Sequence, residues 1–137
     1  MGTLLIDGLK LEAPQAWKFY SMGMILARRD SGFGNLQISV AFRSDLRGAA
    51  SPEACLALAM EFVSRAGMSQ PFDIKQDADG DSLFGGFSYV VGEEFGRVWY
   101  SLVHRQLILG VYGCSQRNPE ASELSECESI LRSAKYA

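Results

Sequence analysis

Histidine is nearly missing from this chain, with His104 the single example in 137 residues. A Ser-His or Cys-His pair would have to be built around that one ring, in "LVHRQL", a stretch that reads as a turn between strands. Nucleophilic catalysis therefore has little to start from, and no enzyme activity is expected. Cysteine is scarce too. Cys55, Cys114 and Cys127 are odd in number, with no C-x-x-C pair and no histidine at ligand spacing, so neither a disulfide framework nor a metal site is expected. No apolar run approaches the 18 or so residues of a membrane span. The opening "MGTLLIDGLKLEAPQAW" lacks a basic n-region and a signal-length apolar core, so the expected compartment is the cytoplasm. Basic charge is not in excess either: 13 Lys and Arg stand against 16 Asp and Glu, a net charge of -3. Such a balance argues against a phosphate-tracking surface, and so against nucleic acid as a partner. "GFGNLQ" has two glycines of a dinucleotide fingerprint but Gln37 in place of the third, and it leads into a strand; it is a turn, and no cofactor is expected.

What is present suits a single globular domain over residues 1–137, since 47% hydrophobic content in a chain of this length supplies a core without staples. "GNLQISVAF" alternates Leu36, Ile38, Val40 and Phe42 with Asn35, Gln37, Ser39 and Ala41, the period of a strand with one wet face, expected near a sheet edge. "MGMILARR" before it and the joint "DSGFG" make an antiparallel hairpin. "SPEACLALAMEFVSRAG" then changes to helical period, with Ser51 as cap, Pro52 in the first turn, Gly67 as stop, and Cys55, Leu58, Ala59, Phe62, Val63 and Ala66 as the apolar stripe. From Phe72 to Gly113 the chain reads as a meander of four strands, apolar or small on both faces in its middle and so covered on both sides. "NPEASELSECESILRSAKY" is a closing helix capped by Asn118, with Ala121, Leu124, Cys127, Leu131 and Ala134 facing inward. The sum is an α+β domain, a mainly antiparallel sheet of about six strands packed with two principal helices. Two helices leave part of such a sheet bare, which makes a homodimer a further expectation.

The acidic stretch "KQDADGDSLFGG" invites a calcium reading because Asp77, Asp79 and Asp81 alternate. An EF-hand loop starting at Asp77 needs Gly at its sixth position and Glu at its twelfth, where this chain has Ser82 and Ser88. Asp79-Gly80 is instead a dipeptide favoured in tight hairpins. Charge is the remaining candidate function. Asp73, Asp77, Asp79, Asp81, Glu93 and Glu94 face only Lys75 between Pro71 and Gly96, while residues 1–50 carry more base than acid, an asymmetry that can steer a basic protein partner. The plainer reading is a solvated loop. "GRVWYSLV" puts Arg97, Trp99 and Ser101 on one face and Val98, Tyr100 and Leu102 on the other; Trp99 is either an interface anchor or core. Gly85-Gly86 within a strand points to a bulge or a close backbone approach.

"LKLEAPQAW", with Pro14 and Trp17 following a short apolar strand, then a hairpin, a Pro-capped helix, a meander and the closing "ESILRSAKY", resembles the PsbP/DcrB-like α/β/α sandwich. The resemblance implies protein binding rather than catalysis, and bacterial cytoplasmic versions include adaptor chaperones for type VI secretion effectors. It supplies no catalytic residues to carry over. The resulting expectation is a non-enzymatic bacterial protein-binding domain, either an immunity protein using the acids and Trp99 against a toxin, or an adaptor chaperone exposing an apolar face or groove to a secreted effector. The rival is a small-ligand binder or minor enzyme with a pocket between sheet and helix and His104 or Arg97 as its polar group.

Overall fold

The computed structural model describes residues 2–6, 8–21, 25–42, 51–79, 82–103, 106–116 and 118–136. Their elements run β1 (Gly2–Ile6), β2 (Leu9–Ala13), β3 (Trp17–Ser21), β4 (Ile25–Arg29), β5 (Gly34–Phe42), α1 (Pro52–Val63), β6 (Phe72–Asp79), β7 (Ser82–Val91), β8 (Glu94–Val103), β9 (Gln106–Cys114), α2 (Ala121–Arg132) and β10 (Lys135–Tyr136). The α+β class and the two helices stand, but the main sheet has seven strands rather than about six, in the order β3-β4-β5-β9-β8-β7-β6. The seventh arises because residues after the Pro14 turn form a strand of their own, with Trp17 opposite Arg29. A separate three-stranded sheet, β1-β2-β10, lies apart from it. In "LKLEA" Leu9, Leu11 and Ala13 are buried while Lys10 and Glu12 are half-buried, so this small sheet turns one face inward.

The alternation in the meander divides the core in two. Phe87, Val98, Tyr100, Leu107 and Leu109 pack with Cys55 and Ala59 of α1 on one face of the main sheet. Phe95, Trp99, Ile108 and Tyr112 pack with Leu9, Leu11, Ile130 and Leu131 on the other, beneath α2 and the small sheet. The middle of the meander is thus covered on both sides, as its apolar faces require. Its neighbour β5 corrects one expectation: it lies third in the sheet, not near an edge. Its wet face comes from the reach of α1, which packs on β7 and β8 and leaves Asn35 exposed and Gln37 and Ser39 half-buried.

The helix ends follow local chemistry. Ser51 Oγ accepts from the Ala54 amide at 3.1 Å, a normal N-cap bond, and Pro52 occupies the first turn. α1 ends at Val63 with Ser64 as its cap, short of Gly67, so Ala66 lies beyond the helix and Phe62 is 49% exposed rather than part of the buried stripe. In α2 the cap is Glu120, not Asn118, and its carboxylate is drawn aside to Arg29 at 3.1 Å and to Ser122. Cys127 and Leu131 are buried as the period implies, but Ala121 is exposed, Leu124 and Ala134 are half-buried, and Glu123 is fully buried. Cys55, Cys114 and Cys127 are buried and form no disulfide. Burial raises the Cys127 thiol pKa, with Glu123 and Glu126 adding to the shift.

Candidate functional site

Among the described residues, β6 is an edge strand of the main sheet, and it is not regular. Phe72 pairs with Ser88 and Lys75 with Gly86, so the register slips within the first turn of the strand and forms a bulge. Asp73, inside that bulge, has φ of 54°, a left-handed conformation that costs a residue with a Cβ. Phe72 and Ile74 on either side are 44% and 49% exposed.

The bulge carries the Asp73 carbonyl to a buried cation. Arg97 is only 6% exposed, and its Nη1 donates to Asp73 O at 2.8 Å and to Ser88 Oγ at 2.9 Å. The Asp73 carboxylate stands 3.7 Å off and is mostly in solvent. Burial pushes the Arg97 guanidinium below its ordinary pKa, against the raising fields of Asp73 and Glu128. Gly86 makes the space: a Cβ there would stand 2.5 Å from Val98 O, 3.2 Å from Trp99 Cδ1 and 3.5 Å from Arg97 Nη2. The close backbone approach expected at Gly85-Gly86 is therefore real, and at Gly85 the ring of Tyr100 fills the place of a side chain.

From Arg97 a polar chain runs up to α2. Its Cζ lies 5.8 Å from the Trp99 ring centre, Trp99 Nε1 donates to Glu128 Oε1 at 3.2 Å, and Arg132 Nε donates to Glu128 Oε2 at 3.1 Å. Arg132 reaches on to Asp77 Oδ2 at 3.2 Å and lies 4.0 Å above the Phe84 ring. Between β6 and α2 a cavity of about 410 Å³ opens, lined by Phe72, Ser88, Arg97, Trp99, Leu124 and Glu128 among others.

The seven residues singled out in the sequence do not form one patch. Asp73 and Trp99 line this cleft, Trp99 as a floor only 1% exposed. Asp77 is tied to Arg132, and Asp79 pairs with Ser82 at the end of the β6–β7 hairpin, where Asp81 lies outside the described residues. Glu93 and Glu94 lie at the opposite end of β7, where Glu94 pairs with Arg65 at 3.2 Å. The last described pair of the hairpin is Asp79 with Ser82, and the expected Asp79-Gly80 turn lies partly outside the described residues, as Gly80 does. His104 falls outside the described residues, between Val103 and Gln106, which pair directly. Sequence reasoning gave Arg97 only to the rival reading; its signal was a cation sharing the inward parity of Trp99 in "FGRVWY". A second cavity of about 340 Å³ has the exposed Arg65–Glu94 pair as its charged lining. Among the described residues no group of three His, Cys, Asp or Glu side chains gathers to hold a metal ion, and no helix is long and apolar enough to cross a membrane.

These layers define a PsbP-like fold. The solution structure of cyanobacterial PsbP (CyanoP) from Synechocystis sp. PCC 6803 superposes with a TM-score of 0.65, covering 96% of this chain and 88% of that one at 13% sequence identity. Likeness at that identity is a likeness of fold. No protein-family model and no curated protein matches the sequence.

Proposed function

We propose that this chain is a non-enzymatic, cytoplasmic protein-binding domain that acts as an adaptor for a secreted effector of the type VI kind. The observation that carries the reading is the cleft at the β6 edge, where exposed Phe72 and Ile74 stand beside a cavity floored by Trp99. An exposed edge strand with apolar side chains suits an extended segment of a partner, since its unpaired backbone groups can add a strand. The acidic-surface version, an immunity protein facing a basic toxin, has less support. Among the described residues its acids Asp73, Asp77 and Glu94 are already engaged, since each stands beside an arginine.

The test is affinity capture from lysate of the source organism at moderate salt, comparing wild type, Ile74→Asp, and a variant with Asp77, Asp79 and Asp81 all changed to Lys. The expected result is one stoichiometric partner, lost with Ile74→Asp and kept with the lysine variant. Loss with the lysine variant alone would return the immunity reading, and no partner for the wild type would overturn both.

A further inference from the structure

We infer that the Arg97 cleft is a receptor for a carboxylate carried on an apolar body. The inference deepens the binding reading by naming the chemical group that the cleft takes. Arg97 is the reason. A guanidinium offers five N–H donors, and here both bonds leave from Nη1; among the described residues nothing accepts from Nε or Nη2. Donors buried to this degree are costly when unmatched. The Nε–Nη2 edge of the fork is one that a carboxylate can meet with two parallel bonds.

The chain's own carboxylates do not fill that edge. Asp73 lies nearest Nη1, at 3.7 Å, with its side chain 62% exposed. Glu128 is engaged by Trp99 and Arg132. Nη2 packs over Gly86, where a Cβ would stand 3.5 Å from it, so the glycine lets the guanidinium lie close to the sheet at the cleft. The lining also sets the class of ligand. Arg97 and Lys75 stand against Asp73 and Glu128 in the lining, so the cleft has no surplus positive charge to meet a phosphate dianion and favours a carboxylate monoanion. Phe72, Phe95, Trp99 and Leu124 supply apolar surface for the group attached to it. A cavity of about 410 Å³ is within the size range of small-ligand sites. The same chemistry occurs at the free C-terminus of a polypeptide ending in an apolar residue and in a free apolar carboxylic acid.

The experiment is an NMR titration of the whole chain, following the Trp99 indole and Arg97 Nε–H signals. The probes are N-acetyl-leucine, N-acetyl-leucinamide, inorganic phosphate, and an N-acetylated hexapeptide ending in leucine with a free carboxylate. N-acetyl-leucine is expected to shift both signals saturably, the amide and phosphate to bind at least about tenfold more weakly, and Arg97→Lys, which keeps the charge but loses the fork, to weaken the acid by about tenfold. If Arg97→Lys melts early, the comparison of acid with amide on the wild type still decides. Equal binding of acid and amide, or phosphate binding as tightly as the acid, would overturn the inference. So would the absence of any saturable shift up to about 50 mM acid, a dissociation constant too weak to mark a built site. A hexapeptide tighter than N-acetyl-leucine assigns the carboxylate to a partner's C-terminus, and a weaker one assigns it to a free acid. Partner capture that survives Arg97→Lys, together with no acid binding, would remove this inference and leave the adaptor reading standing.

Discussion

The two faces of the main sheet hold their helices by different means. On the α1 face Cys55 and Ala59 press against Phe87, Val98, Tyr100, Leu107 and Leu109, and the polar links between described residues include Gln76 Nε2 to Tyr100 Oη at 3.2 Å and to Pro52 O at 3.4 Å. On the α2 face apolar packing is joined by directional anchors. Glu123 accepts from the Phe33 amide at 3.1 Å and from Tyr112 Oη at 2.7 Å; Glu126 accepts from Arg29 at 2.8 Å and from Trp17 Nε1 at 3.2 Å; Ser133 Oγ accepts from the Glu12 amide at 2.8 Å. Apolar contact is non-directional and lets a helix settle where volume allows. Hydrogen bonds to several strands set its position, and α2 is held where a cleft remains between it and β6.

The sharpest way to break this contrast is to remove one anchor of each kind. Phe87→Ala should cost about 3–5 kcal/mol, for a ring that is fully buried. Glu123→Ala should cost about 3 kcal/mol, because it leaves the Phe33 amide and the Tyr112 hydroxyl without their acceptor. Urea unfolding measures both, and a cost below about 1 kcal/mol at Glu123 would show that the polar anchors merely decorate an apolar face.

Alkaline pH separates the faces next. Burial raises the pKa of Tyr112, helped by its bond to Glu123, and burial likewise raises Tyr89 and Tyr100 above the ordinary value of 10.0. The folded state therefore keeps these protons where the unfolded chain has lost them. Stability is fully present below pH 10 and falls as pH rises from there toward the folded-state values. Tyr112→Phe should remove the largest share of the fall, and an equal share removed by Tyr100→Phe would weaken the distinction between faces.

Ser51→Ala deletes the α1 cap bond and should cost about 1 kcal/mol in the same unfolding assay. Smallest of all, Asp77→Ala removes an exposed pair with Arg132 and should change stability by less than about 0.5 kcal/mol. A larger loss would mean that the chain from Arg132 through Glu128 to Trp99 acts as a unit.

The sequence was most legible where period decides. The meander, the parity of "GRVWYSLV", the Ser51-Pro52 helix start and the PsbP-like order of elements all emerge from alternation or end signals that the local chain supplies. The Pro14-x-x-Trp17 start proves to be a turn, closed by Trp17 N to Pro14 O at 3.0 Å, which delivers the indole beneath α2. What resisted reading depends on distant partners. The wet face of β5 suggested an edge, but it reports where α1 stops. Nothing local marks Glu123 for burial, since its backbone donors come from the β4–β5 hairpin about ninety residues away and its remaining donor, Tyr112, from β9. The cleft needs a register slip in β6, a left-handed aspartate and the close packing that Gly86 permits, and only the last of these has a sequence signal.

The two cores also differ in how much chain they must wait for. The one under α1 draws on residues from Ala54 to Val111, a continuous run of neighbouring hairpins and a helix. The one under α2 joins Leu4, Leu9 and Leu11 to Ile130, Leu131 and Ala134, with Ser133 bonded to the backbone of Glu12 across 121 positions of sequence. Closing so long a loop carries an entropic cost that contacts between neighbours avoid. During synthesis Leu9 and Leu11 are made well before α2, whose packing on β2 completes their cover, so they stay open to misassociation longer than the core under α1 does. Pulse-labelled amide exchange during refolding should find β7 to β9 protected before β2, and the reverse order would mean that the ends of this chain meet first.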